Sequence, residues 1–378
     1  MSTAAASRGA AVAADVATRA HASSWRARSR SRLGGVLDRL ALRGMALAFE
    51  HTLVPDPDER ALVRASAAPY LRSPWDRPPG LFSFLADAVP DLECHRYARR
   101  RVDGGAATRY RLASDYVPFD IGAATGGPSA NDWIPVEHWR HDQPACATMV
   151  ALHGFTMGDP DVDAALMMVP DWYRLGLDVA LVTLPFHGAR TPPTARYSGE
   201  PFASWHVGRL TEAVRQSVHD VRRVMRLLRT DGATALGVIG FSLGGYLAAL
   251  LAGLSDDLAF AIPIAAPVEL GVFPSTLFAY SRHAGGQPPP LTRAELATAY
   301  RAHSPLARPL AIGRDHVLIV AGHGDAIVPP EQPRALWRHW GGPAIHWYDG
   351  SHVAPFRRRD VFAAGVAHLR RVGALCRA

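Results

Sequence analysis

Short, continuous apolar runs recur between residues 147 and 348, and segments with helical periodicity separate them. Because these runs are apolar throughout rather than alternating with polar residues, the strands they predict are expected to be covered on both faces. The pattern predicts an α/β fold with a mostly parallel central sheet and helices on both of its faces. Six candidate core strands share this pattern: 147–152, 179–184, 236–240, 259–264, 317–321 and 344–348.

An amphipathic helix and an edge hairpin complete the predicted core. Segment 205–229 carries apolar residues at spacings of three and four, which predicts a helix with its arginines on the opposite, solvated face. Segments 93–100 and 108–114 flank the turn sequence Asp103-Gly104-Gly105 and predict an antiparallel edge hairpin. The apolar face of the helix consists of Leu210, Val214, Val218, Val221, Met225 and Leu228.

The pattern divides the chain into three parts. Residues 1–43 form a basic segment that is expected to be disordered or amphipathic, and residues 44–90 form a helical extension. Residues 91–378 form the α/β domain. Within it, residues 268–312 are longer than a crossover helix requires and contain several aromatic residues, so a small cap is expected there, with a helix at 292–301.

Positive charge is concentrated near the N-terminus. The formal net charge is +7, and residues 1–43 hold eight arginines against two acidic residues. No nucleic-acid partner is expected, because such a protein carries its basic surface on the folded domain. Residues 28–49 mix arginines with leucines at roughly helical spacing. Peripheral membrane contact through an amphipathic helix and packing of that helix on the domain both explain this pattern.

Several chemistries are excluded by missing residue types. The chain has no lysine, so a Walker-type lysine, a lysine Schiff base and a Ser-Lys dyad are excluded. Cys94, Cys146 and Cys376 are far apart in sequence, which predicts free thiols and a reducing compartment rather than a disulfide framework. Most of the 17 histidines lack metal-binding spacing, and neither a metal nor another cofactor is expected.

A cytoplasmic location is expected from the absence of recognisable targeting signals. The first 32 residues lack the continuous apolar region of a secretory signal. The uncharged run 232–255 is long enough for a membrane span, but it divides into strand, glycine-rich turn and helix. We therefore interpret it as a buried motif of the core.

A G-x-S-x-G pentapeptide lies where the strand 236–240 gives way to a helix. Its residues are Gly240-Phe241-Ser242-Leu243-Gly244. This is the context of a nucleophile elbow, in which glycines are required because the turn holds the serine close to neighbouring backbone. The motif predicts Ser242 as a nucleophile. A tight glycine-rich turn without catalysis is the alternative.

The loop after the first core strand is expected to supply a backbone donor. His153-Gly154-Phe155 follows that strand directly. The N–H groups of Phe155 and Leu243 would form an oxyanion hole, which stabilises the alkoxide of a tetrahedral intermediate. An ordinary loop between strand and helix is the alternative.

A serine nucleophile requires a base, and the base requires a carboxylate that orients it. Asp325 follows the strand 317–321, and His352 follows the strand 344–348. Both are expected at the carboxyl edge of the sheet, where sites assemble in open parallel sheets. Asp325 is therefore the predicted acid and His352 the predicted base.

Three other residues compete for these two roles. Glu269 follows the fourth core strand and is the alternative to Asp325. His346 falls inside its strand and His323 precedes the acid, which favours structural roles for both.

Five motifs together resemble the α/β-hydrolase superfamily over roughly residues 90–375: HGF, LPFHGARTP, GFSLGGYLA, GDAIVPP and GSHV. The LPFHGARTP and GSHV blocks are similar to the group named after α/β-hydrolase domain-containing protein 18. The resemblance implies an ester, thioester or amide hydrolase without a cofactor. The single glycine before Phe155 departs from the HGGG pattern of many lipases, so a close lipase match is not expected.

Three residues near the same edge are candidate substrate contacts. His153 precedes the expected oxyanion loop, and His187 and Arg190 lie in the loop after the second core strand. Arg190 is a candidate for binding a substrate carboxylate or phosphate, and a solvated or salt-bridged arginine is the alternative.

These inferences converge on acyl transfer to water, with Ser242 as nucleophile, His352 as base and Asp325 orienting the base. A hydrophobic carboxylic ester is the expected small-molecule substrate, because the cap segment is rich in apolar and aromatic residues. A peptidase or thioesterase on the same three residues, and a non-catalytic binding protein with this fold, are the alternatives.

Overall fold

One nine-stranded sheet organises the part of the chain that the structure describes. This computed structural model describes residues 25–72, 80–82, 93–118, 129–203, 205–281, 288–355 and 358–376. The strand order across the sheet is β1-β2-β3-β5-β4-β6-β7-β8-β9. The strands are β1 (Cys94–Val102), β2 (Gly105–Ala113), β3 (Trp133–His141), β4 (Thr148–Leu152), β5 (Asp178–Val182), β6 (Leu236–Phe241), β7 (Phe260–Ile264), β8 (Leu318–Gly322) and β9 (Ala344–Tyr348).

Parallel pairing dominates one side of the sheet. β4 pairs in parallel with β5 and β6, and parallel pairing continues through β7 and β8 to β9. β1, β2 and β3 pair antiparallel, and β3 is antiparallel to β5. The six strands from β4 to β9 correspond to the six predicted core strands. The predicted α/β fold is confirmed.

The antiparallel edge contains one strand that the hydrophobic pattern does not predict. β1 and β2 form the expected hairpin, and Gly104 in its turn has a φ of 70°. β3 carries buried Glu137 and His138, so its sequence lacks the apolar alternation of a half-buried strand. Burial of Glu137 is possible because its carboxylate accepts hydrogen bonds from Trp139 and Arg109.

The described helices pack around the sheet. They are α1 (Trp25–Ala48), α2 (Glu50–Leu53), α3 (Pro57–Arg72), α4 (Pro160–Leu166), α5 (Val169–Arg174), α6 (Val207–Thr230), α7 (Leu243–Ala252), α8 (Val272–Tyr280), α9 (Arg293–Ala299), α10 (Glu331–His339) and α11 (Arg358–Arg371). None of these helices is both long enough and apolar enough to cross a bilayer.

The amphipathic helix expected at 205–229 is α6, but the prediction for its arginines is partly wrong. The apolar face is buried as expected. Arg215 and Arg223 are buried too, because segments from the N-terminal half of the chain cover that side of the helix. Arg215 donates to the carbonyl of Leu81, and Arg223 donates to the carbonyl of Ala113.

α1 is continuous from Trp25 to Ala48 and so runs across the boundary expected at residue 43. Its inner face packs on the domain through a small apolar cluster that includes Leu42 and Ala46 of α1 and Leu277 of α8. The structure of residues 1–24 lies outside the described residues.

The segment expected to form a cap holds α8 and α9. The helix expected at 292–301 is α9, which begins at a capping box between Thr292 and Glu295. Residues 282–287 lie outside the described residues.

A disulfide joins Cys146 to Cys376, with their Cα atoms 5.6 Å apart. The expectation that all three cysteines are free thiols is therefore wrong, and only Cys94 remains a free thiol. The sequence does not indicate this pairing, because 230 positions separate the two residues. The disulfide links the segment just before β4 to the segment that follows α11.

Protein produced in an oxidising compartment and purified without reductant is expected to show one titratable thiol per denatured chain, that of Cys94, and three after reduction. The Cys94→Ser variant provides the control: no titratable thiol is expected before reduction and two are expected after it. Replacing Cys146 with Ser is expected to lower the free energy of unfolding by about 2–4 kcal/mol, measured by urea titration. Three thiols in the unreduced protein would contradict the pairing.

Candidate active site

Ser242 lies at the turn between β6 and α7, at the centre of the sheet. Its φ of 54° and ψ of −113° are strained values for a residue with a side chain. The turn is tight enough to require glycine on both sides. A Cβ atom at Gly240 would lie 2.0 Å from the Gly244 carbonyl oxygen, and one at Gly244 would lie 2.0 Å from the Leu152 carbonyl oxygen. The hydroxyl is thus held at the carboxyl edge of the sheet.

His352 and Asp325 meet Ser242 at this edge. His352 Nδ1 lies 2.8 Å from Asp325 Oδ2, and His352 Nε2 lies 2.9 Å from Ser242 Oγ. Because a carboxylate only accepts hydrogen bonds, Nδ1–H donates to Asp325 and Nε2 is left to accept from the serine hydroxyl. The structure therefore brings together the three side chains expected to act as nucleophile, base and acid.

The loop after β8 holds the Asp325 carboxylate in place. Its Oδ1 accepts from the backbone N–H of Ile327 at 3.0 Å and of Val328 at 2.7 Å. The Oδ2 atom is then directed at the imidazole of His352. Asp325 is buried, so these bonds replace those that the carboxylate would make with water.

The electrostatic surroundings favour a positive charge on His352. Burial alone lowers the pKa of its imidazole, but the charge and hydrogen bond of Asp325, together with the charge of Asp38, raise the pKa above its ordinary value of 6.5. An imidazole in this setting is a stronger base than a histidine in water.

Phe155 and Leu243, the expected oxyanion residues, line the same cavity as Ser242. Leu243 is the first residue of α7. Phe155 follows Gly154, at which a Cβ atom would lie 3.4 Å from the Cβ of Ser242. The loop after β4 thus approaches the serine closely.

The cavity above Ser242 has a volume of about 600 Å³ and a predominantly apolar wall. Helices α1, α4, α5, α8 and α11 all contribute to it. Its apolar side chains include Met45, Phe155, Met157, Leu166, Met167, Trp172, Leu270, Phe273, Ile327, Val361 and Phe362.

The structure places His153, His187 and Arg190 in the interior, so their expected role as substrate contacts is corrected. All three are fully buried, and none lines the cavity that holds Ser242. Arg190 donates to Asp220 Oδ2 at 2.6 Å and to the carbonyls of Asn131 and Thr183. It is the salt-bridged arginine of the alternative interpretation, turned towards the helix α6.

His153 instead supports the loop after β4. Its Nε2 accepts from the backbone N–H of Leu184 at 3.0 Å, so its Nδ1–H is free to donate to the Gly154 carbonyl at 2.8 Å. Burial lowers the pKa of His153 to about 4, which keeps the ring neutral and preserves this pair of bonds.

The competing residues are engaged elsewhere. Glu269 lines the cavity, but its Oε2 forms an ion pair with Arg293 at 2.9 Å. His323 stacks on Trp347, and His346 lies within β9. The histidine within reach of Ser242 Oγ is His352.

Asp38 is the residue at this site that sequence reasoning missed. It lies on α1, and its carboxylate accepts from the backbone N–H groups of Ala326, His352 and Val353. The signal in the sequence is a single acidic residue within a helix whose other charged residues are all arginines. Among the described residues, no group of His, Cys, Asp or Glu side chains is arranged to hold a metal ion.

Comparisons with known proteins agree with this fold. Residues 179–363 match the family model described as "Serine hydrolase (FSH1)". The Mycobacterium tuberculosis proteins "Uncharacterized protein Rv2627c" (strain H37Rv) and "Uncharacterized protein MT2702" (strain CDC 1551) are each 34% identical over 314 residues. The matched region covers 77% of this chain and 70% of either relative.

Two solved structures share the fold at low sequence identity. The acetyl xylan esterase from Paenibacillus sp. R4 superposes with a TM-score of 0.53 at 15% identity, covering 85% of this chain and 96% of that one. Acetyl xylan esterase 1 from Thermoanaerobacterium sp. JW/SL YS485 gives 0.52 at 14% identity, covering 87% and 97%. The chain belongs to the α/β-hydrolase superfamily, in one family with the two mycobacterial proteins, and it is a serine hydrolase.

Proposed function

We propose that this serine hydrolase cleaves carboxylic esters through an acyl-enzyme formed on Ser242. The observation that carries the proposal is the continuous hydrogen-bonded chain from Ser242 Oγ through His352 to Asp325. A serine hydroxyl alone is a weak nucleophile at neutral pH, and such a chain supplies the base that activates it.

In the proposed reaction, Ser242 Oγ attacks the ester carbonyl carbon while its proton passes to His352 Nε2. The alkoxide that forms on the carbonyl oxygen is stabilised by the N–H groups of Phe155 and Leu243. His352 then returns the proton to the departing alcohol, which leaves an acyl group on Ser242. A water molecule then attacks the acyl carbonyl carbon and gives one proton to His352. His352 passes that proton to Ser242 Oγ as the bond between Oγ and the acyl carbon breaks, which releases the carboxylic acid and free Ser242.

The apolar cavity supports a hydrophobic acyl or alcohol group as the preferred substrate. Its volume of about 600 Å³ is in the range of cavities that enclose small organic ligands, about 300–1,000 Å³. The structural neighbours named as acetyl xylan esterases share only the fold at this identity, so their names do not indicate the substrate of this chain. Thioesters and amides react by the same steps and are the second class of substrate.

We also propose that the outer face of α1 binds an anionic lipid surface. This face exposes large apolar residues, including Leu33 and Leu40 at 55% and 56%, beside the exposed arginines Arg32, Arg39 and Arg43. Apolar side chains beside basic ones are the composition of helices that lie in anionic membrane interfaces. Met45 of the same helix lines the cavity. A membrane bound on this side would therefore place the cavity near a source of apolar esters.

Replacing Ser242 with Ala is expected to abolish labelling by a fluorophosphonate probe and to lower ester turnover by at least about 10⁴-fold, because the nucleophile is lost. Ser66→Ala, on α3, is the matched control and should label like the wild-type protein. Labelling that persists in Ser242→Ala would place the nucleophile elsewhere. Wild-type protein that neither labels nor turns over esters would support the binding-protein alternative.

A graded series of p-nitrophenyl esters, from acetate to laurate, is expected to show kcat/KM rising with acyl length until the cavity is filled. Each methylene that moves from water into the apolar cavity contributes about 0.8 kcal/mol, or roughly a fourfold gain. Steady-state hydrolysis below the solubility limit of each ester measures this trend. A maximum at acetate would contradict the proposed hydrophobic substrate.

The double variant Leu33→Ser/Leu40→Ser is expected to weaken partitioning onto phosphatidylglycerol vesicles by about tenfold or more, because two exposed apolar side chains are lost. Co-sedimentation measures the effect, and soluble-ester turnover should stay unchanged. Leu62→Ser/Val162→Ser removes two exposed apolar residues elsewhere and should bind like wild type. Equal loss in both double variants, or equal binding to phosphatidylcholine vesicles, would reject the proposal.

A further inference from the structure

The inner face of α1 lies directly against the two loops that carry Asp325 and His352. Asp38, in the middle of this face, is completely buried. Its Oδ2 accepts from the N–H of Ala326 at 2.9 Å and of His352 at 3.0 Å, and its Oδ1 accepts from the N–H of Val353 at 3.0 Å.

These three donors belong to both loops. Ala326 directly follows Asp325, whereas His352 and Val353 belong to the loop after β9. One carboxylate therefore ties the backbone beside the acid to the backbone of the base. A buried N–H without a partner is costly, so removing this carboxylate would leave the N–H groups to find other acceptors by moving.

The helix approaches these loops closely because glycines face them. A Cβ atom at Gly34 would lie 2.8 Å from the Cβ of Ser351, and one at Gly35 would lie 3.1 Å from the Gly324 carbonyl oxygen. Adjacent glycines within a helix lower its intrinsic stability by about 1 kcal/mol each. Their presence here lets the helix backbone approach both loops about one turn before Asp38.

We propose that Asp38 is a positioning residue that holds the base and the acid in line with Ser242, which makes the N-terminal helix an integral part of the active site. The inference rests on the proposed function of Ser242, His352 and Asp325. Asp38 acts through the backbone of the two loops and does not touch the substrate.

The charge of Asp38 has a second consequence that a purely structural role would lack. Together with Asp325, it raises the pKa of His352 against the lowering effect of burial. Tyr348 of β9 also faces both carboxylates, but burial and these charges raise its pKa well above its ordinary value, so it stays neutral. Removing the Asp38 charge should therefore lower the pKa of the base.

The test compares Asp38→Asn with wild type in steady-state ester hydrolysis over a range of pH. The amide has the size of the carboxylate, but it has one acceptor oxygen and carries no charge. We expect kcat to fall by about 10- to 100-fold with KM within about twofold, because misplacing the base slows the chemical step rather than binding. The acidic limb of kcat/KM, where His352 becomes protonated, should move to lower pH.

Gly34→Ala provides a second variant that leaves every hydrogen-bonding group in place. The added methyl group would clash with the Cβ of Ser351, which cannot rotate away, so α1 must move away from the loops. We therefore expect kcat to fall by about tenfold. Gly44→Ala is the matched control, because a Cβ at that position of the same helix meets nothing within 4 Å. It should keep the wild-type kcat.

Wild-type kcat in Asp38→Asn or in Gly34→Ala would overturn the positioning role. If Asp38→Asn does not fold, as judged by circular dichroism, Gly34→Ala decides the question alone. The proposed function itself would be refuted by another observation, namely ester turnover that persists in Ser242→Ala. With Ser242→Ala inactive and Asp38→Asn fully active, only the role of Asp38 would be rejected.

Discussion

The hydrogen bond from Ser242 Oγ to His352 Nε2 is the interaction on which the arrangement of this protein depends. The two residues are 110 positions apart, and Asp325, which completes the chain, comes from a third strand. A parallel sheet brings such distant residues together because the carboxyl ends of its strands meet at one edge. β6, β8 and β9 deliver the three side chains there, and each loop needs only a few residues to direct its side chain inward.

Burial makes this arrangement sensitive to charge. Asp325 and Asp38 are both buried beside His352, and within the described part of the chain neither forms an ion pair with an arginine. Their charges are stabilised by backbone N–H groups, two for Asp325 and three for Asp38. Two negative charges in turn raise the pKa of His352 and favour its imidazolium, the state that the proposed proton transfer from Ser242 would create. The loops and the helix α1 are thus part of the electrostatic environment of the base.

The helix α1 contributes to the protein on three sides. Asp38 faces the loops of the base and acid, Met45 lines the cavity, and leucines and arginines face outward. Five arginines of α1 are exposed: Arg28, Arg30, Arg32, Arg39 and Arg43. The opposite side of the helix packs against the domain through its glycines, Asp38, Leu42 and Ala46, which is why this basic segment belongs to the fold.

What the amino-acid sequence by itself determined is local. The six apolar runs predict β4 to β9, and the glycine spacing around Ser242 predicts its turn, because both features depend on residues within about ten positions. Asp325 and His352 follow from the same logic, since each comes directly after a predicted strand. Tertiary structure decided which way polar side chains face and which distant residues meet. Arg190 turns inward because Asp220 is there to receive it, Cys146 meets Cys376 across 230 positions, and Asp38 reaches His352 across 314. Periodicity and propensity cannot reveal such pairs, because the energy of a buried polar contact depends on a partner whose position only the folded chain defines.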